Sequence, residues 1–313
     1  MSRISKYIKR LDSMLHNDKK FFFTQIGISV YARVTRIWDP NDKCREIVAN
    51  EHVYNKLKRD YADPNHDLKL QKPTENFKYT VWTCWLQGYE KAPLLVRRCL
   101  DNMQNRIGGS TDIVLITQDN YAEYTQLPSF IIDKHNKGFI SDAHFSDLIR
   151  LDVLIHKGGL WIDPTVYVSC SDLPEYVVNN DCFLFTAFSL NNIEVSKISN
   201  WLIAAKRGNI LLRETQRMLY AYWKQNNYPI SYYIFHMFFT IATEEYPDEW
   251  AKIPKFNNLN PHVLQWEFGN LYNENRLNEI KRFADFHKLT YRLADTCDKP
   301  GTYYDVLVNQ GKM

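Results

Sequence analysis

Two polar groupings in this 313-residue chain have spacings that suit chemistry. Asp147 and Arg150 lie three residues apart inside a run of helical periodicity, so they share one helix face. Asp163 closes the apolar run Leu160-Trp161-Ile162, and Pro164 and Thr165 follow at once. Pro164 has no N–H to give a central ladder, which places Asp163 and Thr165 where a strand leaves its sheet. In open α/β sheets, ligands bind beyond that carboxyl edge. A carboxylate there accepts hydrogen bonds or holds a hard cation through oxygen, while arginine offers a planar charge to an anion. Taken alone, Asp147 and Arg150 also fit a plain intrahelical ion pair of small value.

The elements that must position these groups are read from the stretch Phe139 to Val168. Ser141 or Asp142 can cap a helix whose Ala143, Phe145, Leu148, Leu151, Val153, Leu154 and Ile155 exceed what one buried face needs, so the helix is expected to be sandwiched. Lys157 and the pair Gly158-Gly159 supply a cation and left-handed residues for its end. Leu160, Trp161 and Ile162 are too continuously apolar for a strand with one wet face.

The unit resembles the DXD-region signature of sugar-nucleotide glycosyltransferases with a GT-A fold, in particular the capsular polysaccharide synthesis family and relatives in glycosyltransferase family 32. Ser146-Asp147-Leu148-Ile149-Arg150 matches their S-D-x-x-R, and Gly158-Gly159-Leu160-Trp161-Ile162-Asp163 matches G-G-x-(W/Y)-x-D. The likeness runs from about Tyr79 to the C-terminus, through VWTCWLQG, SNWLIAAKRGN, HKLTYR and GTYYDVLV. Where many relatives have a second acid, this chain has Thr165.

Composition bounds the rest. The chain is long enough for a large core, and its net charge of +3 excludes nucleic-acid binding on charge grounds. Residues 1–78 hold 16 Lys/Arg and 10 Asp/Glu, a net of +6, which leaves −3 for the remainder. The six cysteines form no Cys-x-x-Cys pair or zinc spacing, which fits a reducing compartment. Neither a transmembrane run nor a secretory signal is read, so the expected location is cytoplasmic, with peripheral membrane contact.

In chain order, residues 1–16 form a basic amphipathic helix with Ile4, Tyr7, Ile8, Leu11, Met14 and Leu15 on one stripe. Such a helix either lies on an anionic membrane surface or docks on the protein's own core. With a charged helix from about Glu46 to Asp60 it makes a helical extension over residues 1–77, set off by Pro64 and Pro73. Residues 78–313 follow as the main domain. A first strand, YTVWTCWLQG, ends in Gln87-Gly88; Pro93–Arg106 reads as a helix and Asp112–Thr117 as a second strand. Strand and helix then alternate, which gives an α/β fold with a mainly parallel sheet flanked by helices. CFLFTAF and Asn200–Ala205 are further strands, and residues 210–225 and 230–246 are helices. His236, on the second of these helices, reads as a core histidine.

The resemblance implies a GT-A-type, Rossmann-like fold and transfer of a sugar from a nucleotide-diphosphate donor, UDP for preference, with retention at the anomeric carbon. It implies a glycan or lipid-linked glycan acceptor, such as growing capsule or O-antigen. Asp163 is then a ligand for Mn2+ or Mg2+, Asp147 an acceptor for sugar hydroxyls, and Arg150 its brace or a donor contact. Ser146 belongs to the same motif. Trp85, Gln87 and Gly88 would meet the nucleotide base, and Asn200 and Trp201 the donor or acceptor. From the tail, His287 would reach the metal and Lys288 the diphosphate. The missing second acid leaves open a catalytically silent binding subunit, and a glycosyltransferase acting on protein is a third reading.

Overall fold

The computed structural model describes Phe23, Ile26, Gly27, residues 42–63, His66, Leu68 and residues 79–187, 195–292 and 297–313. The expected helix over residues 1–16 and the division at residue 77 lie outside the described residues. The helices are α1 (Asp42–Tyr61), α2 (Leu94–Ile107), α3 (Tyr121–Tyr124), α4 (Ser129–Asn136), α5 (Asp142–His156), α6 (Glu175–Val178), α7 (Ile210–Gln225), α8 (Ile234–Glu245), α9 (Pro247–Ala251), α10 (Val263–Glu267) and α11 (Glu274–Lys281). The strands are β1 (Thr80–Cys84), β2 (Asp112–Ile116), β3 (Gly159–Ile162), β4 (Val166–Val168), β5 (Cys182–Thr186), β6 (Ile198–Ala205), β7 (Phe256–Asn257) and β8 (Phe286–Lys288).

Six strands form one sheet in the order β2-β1-β3-β6-β5-β7. The β1–β2, β1–β3 and β5–β7 pairs are parallel, and only β6 runs against its neighbours β3 and β5. The fold is thus α/β with a mostly parallel sheet flanked by helices. β4 and β8 pair antiparallel in a second, small sheet.

Each face of the large sheet carries its own core. On one, Trp82, Trp161 and Ile203 pack with α5, α7 and α8; on the other, Leu160, Ile162, Phe183, Phe185 and Trp201 pack with Val166, Val168 and Phe286. α5 is sandwiched as expected, between the sheet and α7, with apolar residues buried around its whole circumference. Val53, Tyr54 and Leu57 of α1 belong to the same core as α5 and α8, so α1 is fastened to the main domain by packing.

The turn from α5 into β3 depends on two glycines. Gly158 has φ 70° and Gly159 φ 114°, and a Cβ on Gly159 would stand 2.4 Å from the Thr80 carbonyl oxygen. β3 therefore approaches β1 closely, and the Trp82 indole donates to the Gly158 carbonyl at 2.8 Å.

Some expected boundaries move. α8 begins at Ile234 rather than 230, because Ser231 accepts a hydrogen bond from the Tyr233 N–H and turns the chain. β6 starts at Ile198, two residues before Asn200.

Candidate active site at the carboxyl edge of β3

Ser141 caps α5, its hydroxyl accepting from the His144 N–H at 3.4 Å. That start sets Asp147 and Arg150 on the side of the helix that overhangs the end of β3. Arg150 spans both elements: Nη1 donates to Asp147 Oδ1 at 2.9 Å and Nη2 to Asp163 Oδ1 at 2.8 Å. Its guanidinium lies 4.7 Å from the Trp161 ring centre, and its side chain is only 5% exposed. Arg150 is accordingly a buried strut between two carboxylates, and the plain intrahelical pair is only half of what it does.

Asp147 also accepts from Asn200 Nδ2 at 2.9 Å, and its Oδ2 lies 3.4 Å from His144 Nδ1. His144 Nε2 accepts from the Trp223 indole at 3.0 Å, which leaves the His144 proton on the nitrogen facing Asp147. Asp147 is thereby held from α5 and β6, with Trp223 of α7 orienting the His144 ring behind it.

Asp163 Oδ1 receives the Trp161 indole N–H at 2.9 Å besides Arg150, and Oδ2 receives Lys288 Nζ at 2.8 Å. Lys288 donates in addition to Thr165 Oγ1 at 2.6 Å. Burial alone would raise the Asp163 carboxyl, but Lys288 and Arg150 outweigh it and hold the pKa below its ordinary value.

The two residues beside these anchors face away, because neighbours on a strand alternate in direction. His287 is buried, with its Nε2 3.2 Å from Ser169 Oγ and its ring against Tyr167, and it does not join Asp163. Trp201 stacks on Phe185 and donates to Asn258 Oδ1 at 2.7 Å on the far face of the sheet, so only Asn200 of that pair reaches the site. Both expectations are corrected on that ground. Ser146 turns to the Cys84 thiol, which burial pushes up to about 12.

At the end of β1, Trp85 to Gly88 makes the expected turn, closed by the Gly88 N–H on the Trp85 carbonyl at 2.9 Å, with Gly88 at φ 80°. Trp85 meets Tyr291 edge to face, and its buried indole N–H has no partner among the described residues. Gln87 donates to Asp142 Oδ2 at 2.7 Å, tying this turn to the start of α5.

Further contributors went unread in the sequence. His236, expected in the core, is only partly buried, and its Nδ1 has no partner among the described residues. Desolvation lowers its pKa to about 4, with Asp147, Arg150 and Asp163 all close enough to act on it. Tyr232, 76% exposed, lies near enough to Asp147 and Asp163 for both charges to act on its hydroxyl. His144 carried a legible signal, because it lies three residues before Asp147 on the same helix face.

The donor set fits a divalent cation poorly. Such ions take about six oxygen ligands, but both Asp163 oxygens are already occupied by donors, two of them cationic. Among the described residues, no three His, Cys, Asp or Glu side chains gather as a metal-holding group. What the site does offer is an accessible ammonium on a braced carboxylate floor, suited to an anionic ligand bearing hydroxyls.

A family model described as capsular polysaccharide synthesis protein matches residues 34–307. The chain is 24% identical to O-glycosyltransferase braB of Annulohypoxylon truncatum over 171 residues, 50% of this chain and 40% of that protein. It is 26% identical to O-glycosyltransferase PaGT of Phomopsis amygdali over 155 residues, 45% of this chain and 38% of the relative. The chain thus spans about two fifths of the length of these curated relatives. Among solved structures, the PaToxG glycosyltransferase is similar with a TM-score of 0.39 at 14% identity, covering 81% of this chain and 95% of that one.

Proposed function

Because this chain belongs to the capsular polysaccharide synthesis family, we infer that it is a glycosyltransferase taking its sugar from a nucleotide-diphosphate donor, UDP-linked for preference. The observation that carries the reading is the continuous chain Asn200–Asp147–Arg150–Asp163–Lys288 at the carboxyl edge of β3. Sheets of this kind bind ligands at that edge. The names of two relatives as O-glycosyltransferases support a hydroxyl oxygen as the acceptor atom.

In the proposed reaction, the bond between the anomeric carbon and the diphosphate oxygen breaks, and its electron pair leaves with the nucleoside diphosphate. The acceptor hydroxyl bonds to the anomeric carbon, on the face the diphosphate leaves for a retaining enzyme, and gives its proton to that diphosphate. Charge grows on the leaving group, so a fixed positive donor beside it lowers the barrier. Asp147, its charge balanced by Arg150, accepts hydrogen bonds from sugar hydroxyls, and Asn200 donates to them. Arg150 is a positioning residue, since its fork is spent on the two carboxylates. Trp85 with Gln87 and Gly88, in the turn that ends β1, receives the base.

The acceptor in this reading is a growing surface polysaccharide, such as capsule or O-antigen, at the cytosolic face of a membrane. Among the described residues, no helix is long and apolar enough to cross a membrane. The test is release of nucleoside diphosphate from a panel of nucleotide sugars, with and without lipid-linked glycan. Turnover of one donor, accelerated by the glycan, is the expected result; inertness toward the whole panel would overturn the reading.

A further inference from the structure

We propose that Lys288 supplies, within the chain, the positive charge that meets the donor's diphosphate, so that nucleotide binding and transfer need no divalent cation. The proposal rests on the glycosyltransferase reading and goes further, by naming the source of the charge.

Lys288 Nζ bridges Asp163 Oδ2 at 2.8 Å and Thr165 Oγ1 at 2.6 Å, the first and third residues of the Asp-Pro-Thr turn. An ammonium on these two oxygens sits where a cation held by the turn would sit. Its place is fixed by backbone: Lys288 pairs with Val166 across the β4–β8 ladder, and the Leu289 N–H donates to the Thr165 carbonyl at 2.9 Å. The two strands thus bracket the turn, and the lysine is built in rather than draped over it.

Charge bookkeeping points the same way. Asp163 already faces two positive groups, Arg150 on Oδ1 and Lys288 on Oδ2. A divalent ion entering there would meet both of them and gain a single carboxylate, with Thr165 standing where a second acid would help. Arg150 cannot serve as the phosphate ligand, being 5% exposed with both terminal nitrogens engaged. Lys288 remains 21% exposed, and two of its three N–H bonds are spent on Asp163 and Thr165. The third is left for a phosphate oxygen, which a lysine binds as a point charge.

Calorimetry of UDP, GDP and ADP binding to the full chain, once in EDTA and once in manganese, tests this with the wild-type protein alone. The expected result is a nucleotide whose Kd agrees within about tenfold in the two buffers. Lys288→Met should weaken that binding by at least about tenfold in both, and Lys288→Arg should restore most of it. Binding that appears only with manganese, or a Lys288→Met protein that binds like wild type, would overturn the proposal while leaving the glycosyltransferase reading in place. Failure of every nucleotide in both buffers would overturn that reading, and this inference with it.

Discussion

Arg150 is where the site is most sensitive, because one buried guanidinium holds two carboxylates from different elements. Asp147→Asn keeps the shape but loses the charge that Arg150 and His144 face; initial rates should fall at least about tenfold, or about 1.4 kcal/mol of barrier, at unchanged melting temperature. Arg150→Ala should also cost stability, about 3 kcal/mol by urea titration, because it takes the guanidinium from two largely buried carboxylates and leaves Asp163 with Lys288 alone as a cationic partner. Arg150→Lys separates the two effects, keeping the fold but losing activity, since one ammonium cannot make the fork. Acidity gives a further prediction. The Asp163 pKa is held below its ordinary value of 3.8, so this group stabilises the fold above that pH and the benefit is lost as pH falls through the lower folded value. Urea midpoints taken at pH 5 and pH 3 should show that loss in wild type and not in Asp163→Asn. The motif residues Asp147, Arg150 and Asp163 were legible because helix and strand periods fix their faces. The Arg150–Asp163 bond was not, because it joins groups 13 residues apart through tertiary packing.

At the scale of elements, strand alternation decided which expected residues reach the site: Asn200 and Lys288 do, whereas Trp201 and His287 point to the opposite side. The sequence carried that alternation but not its phase, because apolar residues cover both faces of these strands. Gly159→Ala should destabilise by about 2 kcal/mol or more, since φ 114° and a 2.4 Å approach to Thr80 both reject a side chain. Where α1 meets the main domain, Glu245 Oε1 accepts from the Asp63 N–H at 3.0 Å, and desolvation with the nearby Glu214 raises its pKa to about 7. A raised carboxyl pKa means the folded state binds the extra proton, so stability falls as pH climbs from 4.5 toward 7. Glu245→Gln should therefore melt higher than wild type at pH 8 and lose that advantage at pH 5. Thermal scans at the two pH values check it.

For the molecule as a whole, the alternation of strands and helices was enough to read an α/β fold. The small β4–β8 sheet was not legible: its three-residue strands lie more than a hundred positions apart, yet it is what delivers Lys288 to Asp163. Residues 1–20, with six basic and two acidic side chains, should confer binding to anionic liposomes that weakens with salt. A chain lacking residues 1–16 should lose that binding and retain turnover of a soluble acceptor, as read by sedimentation and rate. The most direct test of the account is the rate of nucleoside diphosphate release from the preferred donor by Asp163→Asn beside wild type, with melting temperature measured on the same samples. The account predicts a fall of at least about a hundredfold, some 2.7 kcal/mol of barrier, in a protein that is still folded. A folded Asp163→Asn protein that turns over its donor at the wild-type rate would contradict it.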